Sequence, residues 1–315
     1  MPNTNPNGDQ PVSEGLPLET IICGDNVSVM SQWPDECIDL TVTSPPYDLV
    51  APDADGNLIT QPGGLRTYDG YTWDFAAVAR QLWRVTKRGG VVVWVVGDAT
   101  INGSETGSSF RQVLYFMEIG FNLHDTMIFN RNGQYPDPKR YNADFEYMFI
   151  LSKNRPNTIN LIRDKANATF GRKISGTDRQ KNGQLIPVAG LGQSISELGI
   201  RSNIWRYSTG FGGTTNDKEA FEQPAIFPES LAADHVTSWS DPEMIILDPF
   251  CGSGTTCKMA HILDRRYIGV DISENYCNLA RRRVANVERE RRGEWKPLAG
   301  AGGDLAGLPL FEAIE

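Results

Sequence analysis

The sequence predicts an α/β fold, a mostly parallel sheet wrapped by helices and interrupted by an insert, and three observations carry that expectation. The run VVVWVV, residues 91–96, is apolar at every position, as a strand covered on both faces must be. Strand-like and helix-like segments alternate in both halves of the chain, the layout that yields parallel sheets. Between the halves lies a basic stretch rich in Gly and Asn, with no comparable alternation.

Taken in order, ETIICGD (19–25) reads as a short buried strand, NVSVMSQWP as a helix, and CIDLTVTS as a second strand. Tyr71 to Lys87 places Phe75, Val78, Leu82 and Val85 at helical spacing, and Gly89-Gly90 is expected to stop that helix before the strand 91–96. SSFRQVLYFMEIG follows as a helix, with HDTMIFN and EYMFILSK as two further strands. Beyond the basic stretch, MIILDPF is a strand, SGTTCKMAHILDR a helix, YIGVDI a strand and SENYCNLARRRVANVERERR a long charged helix. The chain from Pro297, rich in Gly and Ala, is expected to be flexible.

Composition narrows the class. The 315 residues, 40% hydrophobic and 22% charged, suffice for a substantial core. No apolar run approaches the ~18 residues of a membrane span, and the first residues show neither a basic nor an apolar signal region, so a cytoplasmic chain without membrane contact is expected. Five cysteines without a C-x-x-C pair and three scattered histidines argue against a zinc site or a disulfide framework, and no metal is expected. The net charge of -9 is unevenly distributed: residues 131–220 hold 14 Lys and Arg against 8 Asp and Glu. Lys153, Arg155, Arg163, Lys165, Arg172, Lys173, Arg179 and Lys181 face only Asp164 and Asp178 within their stretch. Such asymmetry marks either a solvated loop or a nucleic-acid face.

Two motifs carry chemistry. LDPFCGSGTT, Leu247 to Thr256, stands where a strand ends and a helix begins, the ligand-binding edge of a parallel sheet. Gly252 and Gly254 let the backbone approach a ligand, and Asp248 at the strand tip can accept hydrogen bonds. Seventeen residues past Gly254, Asp271 ends the next strand, the position at which nucleotide-binding folds hold ribose hydroxyls. The full G-x-G-x-x-G pattern and the P-loop pattern are both absent, so the ligand is an adenosine without a phosphate chain, a description that S-adenosylmethionine meets. The second motif is Ser44-Pro45-Pro46-Tyr47 at the end of an earlier strand. In isolation it reads as a proline turn after a strand.

These motifs resemble those of the DNA amino-methyltransferases that modify N4 of cytosine or N6 of adenine. Ser44 to Tyr47 matches the family's [D/N/S]-P-P-[Y/F/W], and Asp248 to Thr256 matches D-P-F-x-G-S-G-T-T, with catalytic motif first and cofactor motif last, the beta order. The resemblance covers most of the chain and implies a Rossmann-like S-adenosylmethionine-dependent methyltransferase fold with a mostly parallel seven-stranded sheet. It implies a catalytic domain over 19–130 and 221–295, a target-recognition insert over 131–220, and flanking flexible segments 1–18 and 296–315. It also implies cofactor contacts from Asp25 near the adenine, from Ala225 and Phe227 over the methionine end, and from Asp248, Phe250, Gly252, Gly254, Thr255, Thr256 and Asp271. Gln223 departs from the family, which carries His or Lys before that proline. The insert lies where the family reads DNA, which makes the eight basic residues candidate phosphate contacts.

The implied chemistry explains the residue types. Hydrogen bonds from the target amino group to the Ser44 side chain and the Pro45 carbonyl favour a localised lone pair on a nitrogen that is otherwise a poor nucleophile. The two prolines fix an extended turn and bring no competing donor. Tyr47 offers a stacking face to a base that has left the duplex. C5 methylation of cytosine needs a cysteine after proline, and none of the five follows one. Serine in the first position leans towards N4 of cytosine, with N6 of adenine as the alternative. A methyltransferase for RNA, protein or small molecules and a non-catalytic DNA-binding module are the remoter alternatives. The long Gly- and Pro-rich segment 49–75 is a candidate lid or an unstructured connection. The terminal GLPLFEAIE resembles peptides that dock on sliding clamps, without their usual glutamine. Double-stranded DNA, a second copy of the chain and such a clamp are therefore the partners expected, at the nucleoid.

Overall fold

A computed structural model describes residues 15–46, 73–101, 103–131, 139–223 and 225–291. Chain order begins β1 (Thr20–Cys23), α1 (Asn26–Met30), β2 (Ile38–Thr43), α2 (Phe75–Val85), β3 (Thr86–Val96), β4 (Thr100–Ile101), β5 (Ser104–Glu105), α3 (Ser108–Glu118), β6 (Asn122–Arg131) and β7 (Phe145–Ser152). Four short strands follow, β8 (Arg163–Ala166), β9 (Thr177–Arg179), β10 (Leu185–Pro187) and β11 (Leu198–Ile200). The chain then forms β12 (Ile204–Tyr207), a 3-10 turn (Lys218–Glu222), α4 (Glu229–Trp239), β13 (Ile245–Asp248), α5 (Thr255–Ile262), β14 (Arg266–Asp271) and α6 (Glu274–Arg291).

One large sheet runs in the order β1-β14-β13-β2-β3-β7-β6-β12. Its first five strands are mutually parallel, β7 is antiparallel to both neighbours, and β12 lies parallel to β6. Parallel strands need crossovers, and helices supply them: α1, α2 and α3 pack in series, as do α4, α5 and α6. Val91 to Val96 are at most 1% exposed, so the continuous apolarity of this run reflects cover on both faces. Trp94 in its middle meets the rings of Phe75 and Phe116 edge-on, and its indole N–H donates to buried Gln112 at 2.8 Å. That bond keeps the polar atom of a buried tryptophan satisfied.

The structure corrects two expectations. The sheet has eight strands rather than seven, because Ile204–Tyr207, inside the basic stretch, adds to β6 as an edge. Gly89-Gly90 does not separate α2 from the strand: β3 begins at Thr86, directly after the helix, and the glycines sit within it where its register with β2 slips. Gly89 has φ +79°, and a Cβ there would meet the Asn157 side chain at 2.2 Å, so the pair serves a bulge and a close approach. The described residues up to Ile159 and from Ile204 onward form the larger of two compact units, and the smaller is Asn160–Asn203. Within that unit β8 pairs with β11 and β9 with β10, both antiparallel.

Candidate active site

Four adjacent parallel strands, β1, β14, β13 and β2, end at Cys23, Asp271, Asp248 and Thr43. Their carboxyl ends bring both motifs of the sequence to one edge, the ligand edge of such sheets. The motif residues are tied to one another. Thr43, immediately before Ser44, donates its hydroxyl to the Asp248 carboxylate at 2.7 Å. Thr256 donates to the Val42 carbonyl at 3.0 Å. A loop shift at either motif is therefore transmitted to the other. Pro45 is buried, Ser44 and Pro46 are half-buried, and Tyr47 lies outside the described residues, as do most of the candidate lid and all of the C-terminal tail.

Asp248 is 2% exposed and also accepts the Phe250 N–H at 3.2 Å. Burial dominates its titration and pushes the carboxyl up to about 6, against the pull of its hydrogen bonds from Thr43, Phe250 and Thr256 and with a further push from the Asp271 charge. Asp271 is raised too, by burial, although the N–H groups of Ser273 and Gly252 hold its charged form. The glycine loop between them is strained in the way only glycine tolerates: Gly252 and Gly254 have φ +48° and +79°. A Cβ on Gly252 would strike the Gln223 side chain at 2.2 Å, and one on Gly254 would lie 2.7 Å from Ala280. Gln223 itself accepts the Ser253 N–H at 2.5 Å. A lysine at this position could not accept that bond.

The raised Asp248 carboxyl makes stability depend on pH. Because its folded value lies above the ordinary carboxylate range, the native state holds the proton between the unfolded value and about 6. Stability contributed by this group is full below that window and falls as pH rises through it. Relative to Asp248→Asn, the wild type should lose on the order of 2–3 kcal/mol between pH 4 and pH 7. Urea melts of both proteins at the two pH values read this directly, and a pH-independent difference would refute it.

The remaining cofactor candidates gather around the same edge. Asp25 caps α1 by accepting the Ser28 N–H at 2.8 Å and is exposed. Its neighbour Asn26, 3% exposed, donates to the Pro249 carbonyl at 3.0 Å, and its side-chain oxygen is a buried acceptor with no partner. Phe250 packs edge-on against Trp73 with centroids 4.7 Å apart. Thr255 and Thr256 open α5 and are buried; Phe227 is half-buried and Ala225 exposed just before α4. A buried carboxylate, a half-buried one, an orphaned acceptor and a loop that admits no side chain suit a cationic ligand rich in hydroxyl and amino donors. S-adenosyl-L-methionine is such a molecule, and phosphate is not.

Sequence reasoning missed the group beneath the loop. Arg283 of α6 is 1% exposed and pairs with Asp217 and Glu229 at 2.7 Å each. It also donates to the Ser253 carbonyl at 2.6 Å and to the Ser253 hydroxyl at 3.0 Å. Lys258 joins Glu229 at 2.7 Å. This cluster ties the glycine loop to Asp217 and Glu229, which flank the segment that carries Ala225 and Phe227. A signal existed in the spacing, since Ala280, Arg283 and Val287 share one helical face, and both flanking residues are buried.

The basic residues divide. Lys153 lies in the main unit, 9% exposed, with its ammonium donating to the Trp83 and Thr86 carbonyls at 2.9 and 3.1 Å and standing over the Trp83 ring. Those bonds commit it to the core, and it leaves the set of candidate phosphate contacts. Arg155 is exposed in the main unit, and Arg163, Lys165, Arg172, Lys173, Arg179 and Lys181 are exposed in the compact unit. Among the described residues no helix is long and apolar enough to cross a membrane.

Comparison with known proteins meets this geometry. A family model described as DNA methylase matches residues 38–282. The orphan methyltransferase M.BamHII of Bacillus amyloliquefaciens is 51% identical over 255 residues, 80% of this chain and 90% of that protein. Among solved structures, the fold is similar to that of the cytosine-N4-specific PvuII DNA methyltransferase, with TM-score 0.57 and 19% identity over 84% of this chain and 85% of the other. It is similar too to M1.HpyAVI in complex with S-adenosylmethionine, with TM-score 0.51 and 17% identity over 84% and 98% of the two chains. With a family match across most of its length and a relative identical at half of the aligned positions, the chain belongs to the N6/N4 DNA methylase family and is a site-specific DNA amino-methyltransferase that uses S-adenosyl-L-methionine.

Proposed function

We propose that the enzyme methylates N4 of cytosine in double-stranded DNA, on a base swung out of the helix, with N6 of adenine as the alternative target. The observation that carries this reading is the neutral Ser44, held on the strand whose preceding residue is locked to Asp248 of the cofactor motif. Ser44 Oγ and the Pro45 carbonyl accept the two hydrogens of the amino group, which localises the nitrogen lone pair. When bound, S-adenosyl-L-methionine supplies a methyl group on a positively charged sulfur. Serine accepts without removing a proton at neutral pH, so the proton leaves to water after transfer. Asp271 and Asp25 hold ribose and adenine, Ala225 and Phe227 cover the methionine end, and the glycine loop fits closely against the ligand. Tyr47 stacks on the extruded base and offsets part of the unstacking cost.

Arg155, Arg163, Lys165, Arg172, Lys173, Arg179 and Lys181 neutralise phosphates, a term that makes binding salt-dependent and places the enzyme on DNA despite its net charge of -9. The test is to incubate the enzyme with mixed-sequence DNA and labelled S-adenosylmethionine, digest to nucleosides, and identify the product by mass and retention. N4-methylcytosine is the expected product. N6-methyladenine would move the reading to the alternative, and 5-methylcytosine would sink both.

A further inference from the structure

We propose that Gln180 and Gln184, at the tip of the β9–β10 ribbon, set the recognition sequence by reading adenines in the major groove of the substrate DNA. This rests on duplex DNA being the substrate and does not depend on which base is methylated. β9 and β10 pair antiparallel, with Arg179 opposite Leu185. The Gln180 N–H donates to the Gln184 carbonyl at 2.8 Å, which continues that register by one residue and sets the two glutamines opposite each other at the end of the ladder. Residues so placed share a face, with their side chains starting about 5 Å apart. Three residues join them in a tight turn: Gly183 takes φ +87° and donates its N–H to the Gln180 carbonyl at 2.8 Å, the left-handed glycine that such a hairpin requires.

Exposure and side-chain chemistry identify what the tip meets. Every residue from Ser175 to Pro187 is exposed, and a bare two-stranded ribbon is marginal in water unless something covers it. The compact unit that carries it, Asn160–Asn203, holds seven Lys and Arg against three Asp and Glu, in a chain of net charge -9. A two-stranded ribbon is one of the elements that a major groove admits. Arg179 and Lys181, on either side of Gln180, draw the ribbon to phosphates without distinguishing one sequence from another. The neutral amides add nothing to that attraction. Each instead presents a donor beside an acceptor, the pattern that matches N6 and N7 of adenine. Asn182, the third amide of the tip, is spent on the turn, since its side-chain oxygen accepts the Gln184 N–H at 3.0 Å. The separation of the two glutamines is comparable with the ~3.4 Å between successive bases, which assigns them to neighbouring base pairs.

Sequencing that maps every methylated position, after wild type and variants have acted on the same mixed-sequence DNA, tests the proposal. The wild-type motif is expected to contain A·T pairs beside the methylated position. Gln180→Ala and Gln184→Ala should each relax the requirement at one of those pairs, lowering discrimination there about tenfold or more. Gln180→Glu, which can only accept, should shift the preference at its position from adenine to cytosine. Because these variants gain sites, misfolding cannot imitate the result. Lys181→Ala should instead weaken binding to all sequences alike and reduce the salt slope of DNA binding by about 1. A motif without A·T pairs outside the methylated position overturns the proposal, as do glutamine variants that keep the wild-type motif and discrimination or lose all sequences equally. The methylated nucleoside recovered from the same DNA reports the target base separately, so failure of this inference is distinguishable from failure of the N4-cytosine reading.

Discussion

Ser44→Ala is expected to slow methyl transfer by about 10²–10³-fold. The side chain removed is one of two acceptors proposed for the target amino group, and its contribution is made as the nitrogen becomes nucleophilic rather than while substrate merely resides in the site. The loss should therefore appear in the single-turnover rate rather than in DNA affinity. The tie to the second motif comes from the neighbouring hydroxyl, since Thr43 and not Ser44 donates to Asp248. Thermal melts of the variant report whether the fold is kept. Single-turnover assays at saturating DNA and cofactor provide the measurement, and a rate within threefold of wild type would remove Ser44 from the chemistry.

Arg283→Met should produce the largest loss of stability, about 3–5 kcal/mol. The guanidinium is the shared partner of Asp217 and Glu229, both at 2.7 Å. Its removal leaves two poorly solvated carboxylates with Lys258 alone, 2.7 Å from Glu229 but 4.0 Å from Asp217. In a chain of this size the melting temperature should fall by roughly 10 °C. Arg283→Lys keeps the charge but cannot reproduce the fork that reaches both carboxylates and Ser253, so an intermediate loss is expected. Differential scanning calorimetry distinguishes this from a surface effect, for which both variants would melt with wild type. Because Ser253 lies in the glycine loop, affinity for S-adenosyl-L-methionine should weaken alongside stability.

What could be read from the sequence was whatever is local in the chain. Strands covered on both faces announce themselves by unbroken apolarity, as Val91 to Val96 do, and the two motifs are contiguous because a single strand-to-loop turn presents each of them. Features that depend on tertiary contact were not legible. Gly89-Gly90 looks like a helix stop, yet its conformation is fixed by Asn157 across a bulge. Lys153 adds to a basic count that is blind to burial, while its ammonium stands over the Trp83 ring and donates to the Trp83 carbonyl. The edge strand Ile204–Tyr207 hides in a polar stretch because only Trp205 among its four residues is buried. Arg283 hides for the opposite reason, since it is one of three consecutive arginines in a helix whose charge reads as solvated.

The proposed function divides labour along one sheet edge: the glycine loop with Asp248 and Asp271 is proposed to hold the cofactor and Ser44 to act on the target nitrogen. Calorimetric titration of S-adenosyl-L-methionine into wild type and Ser44→Ala, with the same preparations assayed for single-turnover transfer, tests this most directly. The account predicts dissociation constants within about twofold of each other beside the large loss of rate. A dissociation constant weakened as far as the rate would contradict it, since Ser44 would then be part of the cofactor site and not of the chemistry.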